Sequence, residues 1–136
     1  MEITFEKQTK LKTETIRGNC MVACYANVLG LKISQCPPFE ELFDCAGSAD
    51  FWFECVNLWF KGLGYTLVQC KSISEIPKNV EYYFAYGISP RDVMHQVIYK
   101  DGKMFFDPNP ANDGILTEEG FEYLVLTNPA KSGFNK

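Results

Sequence analysis

An α+β fold is predicted by three features of this sequence. Apolar residues recur at helical spacing in the first half of the chain. Runs with strand character fill the second half. No repeat, low-complexity tract or linker separates them, so helices and strands are segregated within one unit. The 136 residues suit a single domain over 1–136. Hydrophobic residues make up 46% against 22% charged, a globular rather than disordered balance. The expected architecture is N-terminal helices packed on a C-terminal antiparallel sheet.

Residues 1–18 read as a polar, extended arm. The segment 21–29 (MVACYANVL) puts Met21, Cys24, Val28 and Leu29 near one helical stripe. Asn19 is a good N-cap for that helix and Gly30 a fitting stop. A second, short helix can start at Pro37-Pro38, with Glu40 and Glu41 in its first turn. A third is expected over 50–61, capped by Ser48 or Asp50 and ended by Gly62 and Gly64. Its Trp52, Cys55, Val56 and Trp59 form a stripe best read as core. Strands are expected at 65–70, 81–88, 94–99, 103–107 and 121–126. The third and fourth of these join through Lys100-Asp101-Gly102. The tail over 128–136 reads as frayed.

Composition narrows the function classes. The formal net charge is −4, with no basic run, so nucleic acid and anionic membranes are not expected partners. No apolar run approaches the roughly 18–20 residues of a membrane span. The polar N-terminus lacks the apolar core of a signal peptide, so a cytoplasmic, reducing compartment is expected. Six cysteines cluster at positions 20, 24, 36, 45, 55 and 70. Most read as small buried hydrophobes rather than a disulfide framework. The single histidine is His95. Any chemistry that needs imidazole must use it.

Three groups of residues can combine into chemistry. Cys20 follows Gly18-Asn19 at a helix start, where the dipole and free N–H groups favour thiolate, the nucleophilic form. The same N–H groups, that of Cys20 included, can bind an oxyanion. His95 and Asp107 lie on the hairpin MHQVIYKDGKMFFDP, and a thiol hydrolase needs an imidazole with an acceptor to orient it. A two-residue Asp101-Gly102 turn would set residue 96 opposite 107. A three-residue loop over 100–102 would set His95 opposite Asp107, with Cβ atoms roughly 4.5–5.5 Å apart. Gln8 and Asn19 are the nearest side-chain amides for an oxyanion. Cys24, one turn deeper, is the rival thiol. Spacing offers no close set of zinc ligands, since Cys20 and Cys24 form only CxxxC, so no metal or cofactor is expected.

The order Cys, His, Asp, with the Cys on the first helix and the other two on later strands, resembles papain-like thiol hydrolases. More narrowly, the chain resembles C39-like cysteine peptidases and small bacteriophage and bacterial proteins of papain-like type. Three stretches carry the resemblance: Gln8-Thr9 followed by GNCMVACYANVLGL, the tract GISPRDVMHQV, and DGKMFFDPNP. It departs from the C39-like pattern in that Met21 follows Cys20 where a Gly is usual, and Gln8 lies further upstream. The resemblance implies a papain-like fold, with Cys20 as nucleophile, His95 as general base and acid, Asp107 as orienting carboxylate and Gln8 as oxyanion donor.

The expected reaction is attack of Cys20 on an amide or ester carbonyl, an acyl-thioester, and its hydrolysis. The substrate would be a peptide, a protein or a small amide. It would enter a cleft formed by the Cys20 helix, the approach over 87–95 and the first-half loops. Arg91, Asp92 and the acidic 44–50 loop can border it. Transglutaminase-like transfer or deamidation uses the same residue order. A non-enzymatic protein that binds a host factor on this scaffold is the third reading, with Phe51, Trp52, Phe53 and the Tyr82 to Tyr86 run as anchors.

Overall fold

The structure, a computed structural model, describes residues 2–13 and 18–127. The expected frayed tail lies outside the described residues. Among these, helices come first and an antiparallel sheet follows, so the chain is α+β. No described helix is long and apolar enough to cross a membrane.

Helix α1 spans Cys20–Leu29, so Cys20 is its first residue. Gly30 ends it in the left-handed region at φ 73°, and its N–H returns to the carbonyls of Ala26 and Asn27. Helix α2, Phe39–Leu42, follows Pro37-Pro38 and runs into a 3-10 turn at Phe43–Cys45. Helix α3 spans Ala49–Gly62. Ser48, not Asp50, caps it, its hydroxyl accepting from the Phe51 N–H at 3.1 Å. Val56 and Phe60 are fully buried, with Trp52, Phe53 and Trp59 packed against the same core. Two 3-10 turns, Ile33–Gln35 and Ile73–Glu75, were not anticipated.

Strands β1 (Tyr65–Cys70), β2 (Tyr83–Ile88), β3 (Met94–Lys100), β4 (Lys103–Phe106) and β5 (Gly120–Leu126) form one sheet in the order β1-β5-β2-β3-β4. Every neighbouring pair is antiparallel. Strand β2 starts two residues later than expected, and β4 stops one residue short of Asp107. The helices cover one face, where Tyr25 of α1 packs edge-on against Phe60 at 4.9 Å and Phe84 at 5.0 Å. Tyr83, Ala85, Val97, Tyr99 and Phe121 form a second cluster, covered by Ile73, Ile76, Val80 and Ile115.

The β3–β4 connection corrects one expectation. Asp101 (φ 53°) and Gly102 (φ 83°) make a two-residue turn, with Lys100 paired to Lys103 and Tyr99 to Met104. That register alone would turn His95 away from Asp107. A bulge at Ile98/Tyr99 then shifts the pairing, so that Ile98 meets Phe106. Continued one residue, this sets Asp107 across from Val97, on the face that also carries His95. The two residues are diagonal neighbours, not direct partners.

The N-terminal arm folds back. Asn27, buried in α1, accepts from the Glu6 N–H through Oδ1 at 2.8 Å and donates through Nδ2 to the Glu6 carbonyl at 2.8 Å. The Gln8 N–H donates to the Pro108 carbonyl at 2.9 Å, which ties the arm to the residue after Asp107. All six cysteines are free thiols. Cys24 is buried, four are half-buried, and Cys45 is exposed, contrary to its reading as packing.

Candidate functional site

The short length of β4 creates the site. It pairs with β3 only along 98–100, so the outer edge of β3 is left without a strand at 94–97. Helix α1 packs there instead. The Cys24 thiol donates to the Gln96 carbonyl at 3.3 Å. The backbone of Gln96 also acts on the Cys20 thiol, favouring its anion. Two cysteines one helical turn apart thus meet the in-plane backbone groups of the residue that follows His95.

His95 and Asp107 meet. Nε2 of the imidazole is 2.6 Å from Asp107 Oδ1, and both residues are buried. The carboxylate also accepts the Asn109 N–H at Oδ1 and the Gly114 N–H at Oδ2, each at 2.8 Å. Burial pushes the Asp107 carboxyl up, but the His95 contact and the two backbone N–H groups outweigh it and hold it below its ordinary value. An ionised Asp107 accepts only, so Nε2 carries the proton in the neutral ring and Nδ1 keeps a lone pair for a base. Arg91, expected as a turn or cleft residue, pairs with Asp113, beside the Gly114 that anchors Asp107.

The thiol side is less favourable than the sequence suggested. The Cys20 thiol is pushed up to about 12, first by burial and then by the carboxylate of Glu40. The N–H groups of Met21 and Val22, expected to be open to an oxyanion, donate to Glu40 Oε2 at 2.9 Å and Oε1 at 3.3 Å. Burial raises the Glu40 carboxyl to about 7 despite those two donors. Among the described residues no hydrogen bond joins Cys20 to His95. Cys24 is more deeply buried, and its thiol is raised well above its ordinary value, first by desolvation.

The two amides proposed for the oxyanion are placed as follows. Asn19 holds the N-cap position, but its side chain does not cap the helix. It accepts the Lys10 N–H at 2.9 Å and donates to Thr9 Oγ1 at 2.8 Å, so it ties down the arm. Gln8 is buried and comes close to Gly18, where an added Cβ would stand 3.4 Å from its Nε2. That Nε2 donates to the Lys10 carbonyl at 2.7 Å, while Oε1 is buried with no partner among the described residues.

Sequence reasoning missed Gln96 and Glu40. Gln96 brings α1 to β3, and its buried side-chain Nε2 has no partner among the described residues. Glu40 was visible only as a first-turn acid of α2. A cleft of about 350 Å³ lies beside it, bordered by Thr9, Lys10, Asn19, Val22, Ile33 and Glu41 among others. It runs between the arm, α1 and the 33–41 segment, without the expected 87–95 wall, and Cys20, His95 and Asp107 do not line it. Of the aromatics considered as anchors, Phe51 is exposed, whereas Tyr83 and Phe84 are buried. Among the described residues no group of three His, Cys, Asp or Glu side chains could hold a metal ion. In comparisons with known proteins, no family model, no curated protein and no solved structure gave a significant match.

Proposed function

We propose that the chain is a papain-like thiol hydrolase of amide or ester bonds, with Cys20, His95 and Asp107 as its catalytic residues. The observation that carries this reading is the buried His95–Asp107 hydrogen bond at 2.6 Å, next to Gln96, whose backbone accepts from the Cys24 thiol and favours the Cys20 anion. Asp107 fixes the ring so that Nδ1 is the basic nitrogen. Cys20 gives its proton to Nδ1 as its sulfur bonds to the carbonyl carbon, and the carbonyl electron pair moves to oxygen. Collapse expels the leaving group, which takes the proton from His95, and leaves an acyl-thioester. Water, deprotonated by His95, then releases the acid and restores the thiol. Burial, the larger cause, and the Glu40 carboxylate both push the Cys20 thiol up, so transfer of its proton to His95 as the sulfur attacks is the step this reading uses.

The test is acyl capture. Incubation with p-nitrophenyl acetate, followed by mass spectrometry of the Cys20 peptide, is expected to show an acetyl adduct that His95→Ala reduces by at least about tenfold. No adduct on Cys20, or an adduct undiminished in His95→Ala, would sink the hydrolase reading. A glutamine peptide given with an amine separates hydrolysis from transfer by product mass. One observation favours the second reading, a non-enzymatic binding protein on the same scaffold: Glu40 closes the helix end beside the thiol, on the N–H groups of Met21 and Val22. That reading expects Cys20→Ala to leave function intact.

A further inference from the structure

The N-terminus of α1 is closed from another part of the chain. A helix start leaves N–H groups without intrahelical partners, and its own N-cap side chain usually takes one of them. Here the Asn19 amide is committed to Thr9 and Lys10. Glu40 arrives from α2 instead, with one carboxylate oxygen on the N–H of Met21 and the other on that of Val22. Met21 is the residue after Cys20. A carboxylate there cancels the positive end of the helix and sets a negative charge beside the sulfur.

Taking Cys20 as the reactive thiol, we propose that Glu40 is a positioning residue that holds the site at rest, and that withdrawal of its carboxylate from the Met21 and Val22 N–H groups arms Cys20. The move needs no backbone rearrangement. Glu40 borders the open cleft, so rotation about its side-chain bonds can carry the carboxylate from the helix end into that space. The α2 backbone stays anchored, since Phe39 is buried and its carbonyl accepts the Trp52 indole N–H at 2.7 Å. Neighbouring Glu41 is paired with Lys10, so the cation at the cleft already has a partner. Withdrawal does two things together. It removes the stronger of the two negative charges that act on the sulfur, and it frees two N–H groups for an anion.

Several charged and titratable groups surround Glu40. Cys20, Cys24 and Tyr25 feel its charge from α1, Lys10 lies on the arm, Glu41 on α2 and Cys36 across the cleft, and Asp107 acts on the same Cys20 thiol from beyond β4. Burial raises the Glu40 carboxyl to about 7. In the wild type, the rise of Cys20 alkylation with pH should therefore flatten across that region, because the neighbouring charge appears as thiolate becomes more abundant.

The experiment is the rate of iodoacetamide alkylation at Cys20, read by mass spectrometry of its peptide from pH 6 to 9. Glu40→Gln keeps the shape and one acceptor but loses the charge. It is expected to alkylate at least about tenfold faster at pH 8, with a straight pH profile where the wild type bends. An unchanged or slower rate in a Glu40→Gln protein with wild-type circular dichroism would overturn the inference. Should that variant fail to fold, the wild-type profile decides, since a straight line through pH 7 also overturns it. The outcome is separable from the hydrolase reading. Loss of acyl capture with an intact Glu40 effect removes catalysis alone, whereas acyl capture with an unaltered Glu40→Gln rate removes the resting carboxylate alone.

Discussion

His95 and Cys20 reach the same stretch of β3 from opposite kinds of support. The imidazole is held by a buried carboxylate, and that carboxylate is held by two backbone N–H groups of its own loop. Each of those contacts lies within one connected segment, 94–114. The sulfur is governed from elsewhere: its helix end is covered by a side chain 20 positions downstream, on a four-residue helix beside an open cleft. The imidazole side is fixed by buried hydrogen bonds at both carboxylate oxygens of Asp107. The thiol side depends on a single carboxylate, Glu40, which occupies two N–H groups of the helix end at the border of the cleft. Pre-organised groups act best when their supports are locked.

The largest effect should come from the locked side. Asp107→Ala strips a partner from the His95 ring and from the Asn109 and Gly114 N–H groups, all in a buried place. Leaving such donors unsatisfied costs about 1–3 kcal/mol apiece, so a loss of about 3–5 kcal/mol in urea unfolding is expected. Asp107→Asn should keep most of that stability while lowering acyl capture, because its amide can present a donor to the ring and favour the wrong tautomer. If Asp107→Ala unfolds within 1 kcal/mol of the wild type, the loop is not held by this carboxylate and the contrast between the two sides fails.

A smaller effect separates the thiol side by pH. The Glu40 carboxyl is raised from 4.5 to about 7, chiefly by burial. A group whose folded value is raised lends stability that is complete below its unfolded value and lost as pH climbs through the folded one. Relative to Glu40→Gln, the wild type should therefore lose about 3 kcal/mol between pH 4.5 and 7.5. Asp107 runs the other way: its lowered value gives stability present above 3.8 and lost as pH falls through the folded value. Denaturant midpoints of wild type and Glu40→Gln, measured side by side across this range, check the slope. Parallel curves would mean that the carboxylate is not desolvated.

The sequence carried the local parts of this arrangement and missed the ones that depend on tertiary approach. Gly30 and the stripe over 50–61 mark two helices because caps and periodicity are written within a few residues. The meeting of residues 95 and 107 could be argued from the hairpin, yet through the wrong loop. An Asp-Gly pair accepts left-handed φ at both positions, which favours the two-residue turn, and no residue pattern announced the bulge that restores the face. The edge left open by a four-residue β4 was not visible either, so neither was the role of Gln96. Asn19 looked like a cap by composition, but the arm that folds back over Gly18 competes for its side chain. Glu40 was placed correctly at the start of a helix, and its real partner is the end of a different one. Such a contact leaves no trace in spacing.

The smallest predicted effect bears on that last point. If Glu40 caps α1 and Asn19 does not, Asn19→Ala should behave unlike the usual loss of a helix cap. It removes two exposed hydrogen bonds to the arm, worth about 0.5–1.5 kcal/mol each at most in such a setting. Amide exchange should speed up at Lys10, whose N–H loses its acceptor, and stay slow at Met21 and Val22, whose acceptor is Glu40. Cys20 alkylation should stay within about twofold of wild type, because neither the helix end nor the neighbouring charge has changed. Glu40→Gln should show the converse, with Lys10 unaffected. Faster exchange at Met21 and Val22 in Asn19→Ala would mean that the arm, rather than the carboxylate, keeps the helix end closed. The thiol would then be governed by the same arm that carries Gln8 to Pro108, and both sides of the site would share one support.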